Sequence, residues 1–249
     1  MQYYAPTSSA SALVSGDARN QTYTFDAART NLCLQSQTLS TTPWALGGGL
    51  TVPTTNGVDP RGTGAACTLS DAAGTLGELT QAITVANDNT NYVASAYFTL
   101  GTSNQSKFGI RLSGGAAVDQ FVEFNPASGV VISSAGTYTV TPLVIAGITF
   151  YRIAILIANN TSGNVTATPY MQPASSNVGA TGTVIAFGAQ FETVVTAGAA
   201  TPSAYLSTGA AAFTTPAGTI PAFTQAPQIQ CETFLASGSS VAPAWANRA

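Results

Sequence analysis

Between residues 77 and 192 the sequence is a succession of short segments rich in Thr, Val, Ile and aromatic residues, each closed by Gly, Asn, Pro or Ser. Apolar side chains recur at every second position rather than every third or fourth, which is the spacing of a pleated strand with one buried face. The clearest predicted strands cover 77–85, 92–100, 107–112, 118–124, 137–143, 149–157, 165–170 and 184–192, among about ten in all. Turns are expected at 87–91, 113–116, 126–129 and 159–163. Strands of this length and spacing predict an all-β fold, an antiparallel β-sandwich of jelly-roll type, and 249 residues suit one such domain with extensions. Within 149–157, Tyr151, Ile153, Ile155 and Ile157 alternate with Phe150, Arg152, Ala154 and Leu156, and the first, more apolar set is expected between the sheets.

Charged residues make up 7% of the chain and the net charge is −3, against roughly 25% charged in an ordinary soluble domain. With 45% hydrophobic residues the chain is expected to fold rather than stay disordered. So few charges also leave little Coulomb repulsion between neighbouring copies, which favours assembly. The seven basic residues, Arg19, Arg29, Arg61, Lys107, Arg111, Arg152 and Arg248, are scattered and form no stripe for phosphates, so nucleic acid is not an expected partner. Residues 1–14 lack the basic start and apolar core of a secretory signal. The most apolar stretch, 143–158, is interrupted by Gly147, Thr149 and Arg152 and falls short of the ~20 residues that span a bilayer, so it reads as a buried strand. Cys33, Cys67 and Cys231 are odd in number and widely spaced, which suggests neither a disulfide framework nor a zinc site and fits assembly in a reducing cytoplasm.

Two flanking segments differ from the strand-rich block. Residues 1–28 begin with Tyr3 and Tyr4 and then become rich in Ser and Ala, while 210–249 carry Pro216, Pro221, Pro227 and Pro243. Proline removes backbone donors and disfavours central strands, so 210–249 are expected to form an extended arm and 29–209 the sandwich. Phe213, Phe223, Phe234 and Trp245 are spaced along that arm as candidate anchors. The arms could fold back on their own sandwich or dock on neighbouring subunits.

The chain has no histidine, which removes the commonest general base and the commonest transition-metal ligand. Asp119 and Glu123 are the nearest thing to a carboxylate pair, but in an extended strand they stand about 13 Å apart, wider than either glycosidase geometry. No catalytic residue, metal ligand or cofactor is therefore expected. The run Gly47, Gly48 and Gly49 lacks the Lys and helix of a phosphate loop and reads as a bend. Asn87, Asp88, Asn89 and Asn91 offer oxygens of the kind calcium accepts, and equally the side chains any turn would use. For sugar stacking, Tyr97 lies on the more polar face of 92–99, although a place inside the sandwich or at a subunit contact is the commoner outcome for such an aromatic; Trp44 sits in a loop that could expose it or let it plug the sandwich edge.

Several motifs together resemble a family of tailed-bacteriophage virion proteins that contain a jelly roll similar to the carbohydrate-binding modules of glycanases. These are Arg29-Thr30-Asn31-Leu32 followed by Gln35-Ser36 and Trp44; Asp59-Pro60-Arg61-Gly62-Thr63 with Ala66-Cys67-Thr68-Leu69; the aromatic segment 92–101; and Phe150-Tyr151-Arg152 after Gly147, with Phe150 where Trp is usual. The closing matches are Phe187-Gly188-Ala189-Gln190-Phe191-Glu192 and Ala204-Tyr205-Leu206-Ser207-Thr208-Gly209. The resemblance covers 29–209. It implies a non-catalytic part of a virion, with other virion proteins and copies of itself as partners. The short chain, without heptad or triple-β repeats, favours a capsid decoration or head-spike protein over a tail fibre. The alternative it implies is an adhesin that binds bacterial surface glycan.

Overall fold

The computed structural model describes residues 28–215, apart from 52, 56, 73, 178 and 195–197, together with the backbone of two strands ahead of them. Expectations for the rest of 1–27 and for 216–249, including Cys231, lie outside the described residues. No helix occurs among those described.

Strands β1 (Ser11–Val14) and β2 (Gln21–Thr24) pair antiparallel with each other. The others are β3 (Arg29–Asn31), β4 (Ala45–Gly47), β5 (Thr54–Thr55), β6 (Cys67–Asp71), β7 (Glu78–Thr80), β8 (Ile83–Thr84), β9 (Asn91–Leu100), β10 (Ser106–Ser113) and β11 (Val118–Phe124). They continue with β12 (Val131–Ala135), β13 (Tyr138–Ile145), β14 (Ile148–Ala158), β15 (Thr166–Gln172), β16 (Gly182–Thr193) and β17 (Phe213–Thr215).

All pairings are antiparallel. One sheet runs β12-β11-β10-β15-β7-β4, with β8 also on β15, and the other runs β13-β14-β9-β16-β6-β5. The chain crosses from β6 to β7, β9 to β10, β11 through to β14, and β15 to β16, so strands near in sequence fall in opposite sheets. The inner orders β6-β16-β9-β14 and β7-β15-β10-β11 are the two halves of a jelly roll. The expected fold class is thus the one that forms.

Between the sheets, alternation puts Phe108, Ile110 and Leu112 of β10 against Ala94, Ala96 and Phe98 of β9, and Ile153, Ile155 and Ile157 of β14 join the same core. Phe98 packs between Phe108 and Phe124 at ring-centroid distances of 5.5 and 5.1 Å. Trp44 is buried in this core, and its indole N–H donates to the Gln35 carbonyl at 3.2 Å. Cys33 and Cys67 are buried free thiols there, and burial raises the pKa of both.

One expectation needs correction. The strand expected over 77–85 is split into β7 and β8, because its partner β15 holds Pro169, which has no N–H to give; Gln81 donates its backbone N–H to the Pro169 carbonyl and leaves the ladder. Its side chain instead grips the backbone of Leu34, accepting at 2.7 Å and donating at 2.9 Å. Beyond residue 209, β17 pairs with β3 in a separate two-stranded sheet, Phe213 opposite Asn31 and Thr215 opposite Arg29.

Candidate functional site

Tyr97 was the aromatic that sequence alternation offered for sugar stacking, and it does point out of the sheet. It does not reach solvent: it is 9% exposed and forms a second cluster with Phe150, Phe187 and Ala66, covered by Tyr205. Tyr205 meets Tyr97 edge-on at 6.2 Å and Phe187 at 5.3 Å, so residues around 205 form a lid over the outer face of the second sheet. Sequence reasoning missed that lid because Tyr205 lies outside any strand.

The motif residues build the lid. In β16 the register shifts between Phe187 and Gln190, with Gly188 at φ +68°. The bulge reverses the alternation, so that Val184 and Ala186 face the core before it, Ala189 and Phe191 after it. Gln190 and Glu192 are thereby turned outward. Gln190 Oε1 accepts from Leu206 N at 2.8 Å, and Glu192 accepts from Ser203 N at 2.6 Å and from the Ser203 hydroxyl at 2.7 Å. Asn31 donates to the carbonyls of Ala189 and Leu206 and accepts from Cys33 N and Phe191 N. Ser36 bonds the Tyr205 hydroxyl at 2.7 Å and accepts from Thr208 N at 2.8 Å. Arg152 donates to Ser203 O at 2.7 Å and to the Ser95 hydroxyl at 3.1 Å, and lies over the Tyr97 ring; its burial lowers its pKa. The buried Asp59 accepts from Arg61 N, Ala65 N and the Thr63 hydroxyl. Burial acts to raise its pKa, but these bonds hold it below the ordinary carboxylate value. These residues close the fold, with Arg152 Nε left as a buried donor without a hydrogen-bond partner.

The Asn87–Asn91 region behaves as a turn: Asp88 accepts from Thr90 N at 2.8 Å and Asn87 from Gly163 N at 2.9 Å. Among the described residues no three His, Cys, Asp or Glu side chains gather as a metal-binding group.

Charge collects on the outer face of the first sheet. Glu78, Lys107, Arg111, Asp119 and Glu123 all lie there, five of a chain with only ten acidic and seven basic residues. The register explains the pairing: Lys107 stands opposite Glu123 and Arg111 opposite Asp119 across β10 and β11. Lys107 Nζ is 2.9 Å from Glu123 and 4.5 Å from the Phe121 ring centroid. Arg111 makes a two-pronged contact with Glu78 at 2.6 and 2.7 Å and stacks 3.8 Å over Tyr170. Glu78 also accepts from Gln172 at 2.7 Å, and the Tyr170 hydroxyl donates to Asp119 at 3.0 Å. Gly109 makes this possible, since a Cβ there would sit 2.2 Å from the Tyr170 ring.

The electrostatics follow from these contacts. Hydrogen bonding by Glu78 raises the Arg111 pKa. Desolvation, with Asp119 beside it, raises that of Tyr170. For Glu123, burial acts upward but Ser133 and Lys107 bring the net shift below its ordinary value. Asp119 and Glu123 are each committed to their own cation, so the carboxylate pair weighed from sequence forms no joint acid–base site. The face presents partly buried Phe121 beside the paired side chains of Lys107 and Arg111.

No family model matches this sequence, and no curated protein matches it. Among solved structures, the enzymatically active domain of bacteriophage CBA120 tailspike protein 4 is 17% identical, with 66% of this chain covered and a TM-score of 0.45; the likeness spans 21% of that protein's length. TmCBM61, in complex with β-1,4-galactotriose, is 12% identical, covering 65% of this chain and 97% of that one at a TM-score of 0.38. The family 11 carbohydrate-binding module of Clostridium thermocellum, in complex with a β-1,3-1,4-mixed-linked tetrasaccharide, is 13% identical, covering 68% and 96% at 0.36. The jelly-roll class itself rests on the strand pairing described above.

Proposed function

We propose that this chain is a non-catalytic structural protein of a tailed-phage virion, assembled in the host cytoplasm and carried on the particle surface as a capsid decoration or head-spike protein. The observation that carries this reading is the β3–β17 pairing, which brings residues 29 and 215 side by side. Both flanking segments therefore leave from one place, beside a sandwich whose two cores are already filled. Two tethers from one point raise the effective concentration of each for a common partner. The resemblance of the closing motifs to virion jelly rolls and the low surface charge support the same reading.

The test is add-back to particles lacking the protein. Full-length chain should co-sediment with them, whereas chain ended at Thr215 should bind at least tenfold more weakly; undiminished binding of the shortened chain would remove the segment beyond Thr215 from the account and leave attachment to residues 1–28 or the sandwich. A density map of the intact virion then places the chain on the capsid lattice or on an appendage.

A second reading, glycan binding, is favoured by the outer face around Phe121, Lys107 and Arg111. Titration calorimetry with host surface polysaccharide checks it: Phe121→Ala should abolish any heat seen with the full chain, and equal heats from both proteins would rule this face out.

A further inference from the structure

On the outer face of the first sheet a row of polar side chains crosses four strands. The registers set Glu123 of β11 opposite Lys107 of β10, and Lys107 opposite Gln172 of β15. Glu78 of β7 comes next, accepting from Gln172 at 2.7 Å. Asp119 and Arg111 form a second pair farther along β11 and β10. Arg111 is fixed from three sides: both terminal nitrogens donate to Glu78, Nε lies 3.5 Å from Asp119, and the guanidinium stacks 3.8 Å over the Tyr170 ring. The surface is preorganised, so a ligand meeting it need not order these side chains.

Donors on this face are committed, while acceptors are left over. Arg111 is spent on Glu78 and Asp119, and Lys107 on Glu123 and the Phe121 ring. Gln172 is 3% exposed; its amide nitrogen donates to Glu78, and its carbonyl oxygen is buried with no donor. Turning the amide round would set that carbonyl against the Glu78 carboxylate instead. A buried acceptor without a partner is costly, so a donor brought to it is favoured. Asp119 keeps 48% of its side chain exposed, with lone pairs beyond those that Tyr170 and Arg111 occupy. Three carboxylates, Glu78, Asp119 and Glu123, stand against two cations, a formal balance of −1.

We infer that this face takes an uncharged, hydroxyl-bearing glycan and rejects acidic polysaccharide, with Glu78 and Asp119 as the residues that set the choice. The inference rests on the glycan-binding reading above and names the class of glycan. A sugar hydroxyl donates as well as accepts, so it supplies the donor that Gln172 lacks and bonds to Asp119. A carboxylate, phosphate or sulfate group brings only acceptors and negative charge, and it meets a carboxylate majority with both cations already spent. Arg is the residue that ordinarily grips such anions with its planar fork. Here Glu78 occupies the fork, both of its oxygens bonded to it. An ammonium-bearing sugar, conversely, would compete with Lys107 and Arg111 for the same carboxylates.

The test offers the full chain a panel of purified bacterial surface polysaccharides, neutral and acidic, and reads binding by titration calorimetry. The glycans bound should be uncharged ones, with acidic ones weaker by about tenfold or more. Raising NaCl from about 50 to 500 mM should change the neutral affinity by less than about twofold. Asp119→Asn brings the formal balance to zero and should narrow the gap between acidic and neutral glycans by about threefold. Glu78→Gln, which also frees the Arg111 fork, should narrow it further; Asp119, the more exposed of the two, carries the test if Glu78→Gln loses stability. If Asp119→Asn weakens both classes alike, its role is structural and the assignment falls. Acidic glycans bound as tightly as neutral ones would overturn the charge selection while glycan binding stands. No heat from any member of the panel would overturn the glycan-binding reading, and this inference with it.

Discussion

At the scale of single residues, two positions show how a small group fixes a large surface. Gly188 takes φ +68°, which any other residue adopts only under strain, and a Cβ there would lie 3.2 Å from the rings of both Tyr205 and Tyr97. The bulge it permits is what turns Gln190 and Glu192 toward the lid. Gly188→Ala should lower stability by about 1–3 kcal/mol, measured by denaturant titration, and should increase hydrogen exchange at Leu206 N. Asp59 is the second. Its folded pKa lies below the unfolded value, so the stability it contributes is complete above that unfolded value and is lost as pH falls through the folded one; Glu123 acts with the same sign. The melting temperature should therefore be flat from about pH 5.5 to 7 and fall below about pH 4. In Asp59→Asn the starting stability should be lower and the acid slope shallower. An unchanged slope would mean that Asp59 titrates alike in folded and unfolded chain.

At the scale of elements, β14 is buried on both sides: Ile153, Ile155 and Ile157 fill the core between the sheets, while Phe150 lies in the cluster under the lid and Ala154 is buried as well. Ile155→Asp would leave an unpaired charge at a fully buried position, costing several kcal/mol, enough to exhaust the margin of a typical domain. The expected outcome is insoluble or non-cooperatively melting protein, and a soluble variant with an unchanged melt would remove β14 from the core. The β10–β11 hairpin carries the clearest link from sequence to surface chemistry. Lys107 and Glu123, and Arg111 and Asp119, stand at equal distances either side of Gly115, so a turn centred there pairs both at once.

At the scale of the whole molecule, the sandwich and its lid form one hydrogen-bonded unit that runs from β3 to β17. Chain ended at Thr215 keeps both cores, the lid and the β3–β17 pairing, so its melting should remain cooperative and within about 5 °C of the full chain. Ending it at Gly209 removes β17 and should lower the midpoint further. If the Thr215 chain unfolds instead, residues beyond it belong to the folding unit and the tether reading of that segment fails.

The sequence by itself determined the fold class, because alternation with period two and turn residues at fixed intervals are local properties that any compact structure must satisfy. It placed β11 at 118–124 without error and put Ile153, Ile155 and Ile157 in the core. What it could not decide was which outward-facing residues meet solvent. Tyr97 and Phe121 both sit on outer faces by alternation, yet one is roofed by Tyr205 and the other is only partly buried, and the difference is made by a segment more than a hundred residues away from Tyr97 in the chain. Nor could it foresee that Gln190, Glu192 and Asn31 would spend their hydrogen bonds on closing the fold. Burial and partnership are relations between distant segments, and only the tertiary structure brings those segments together.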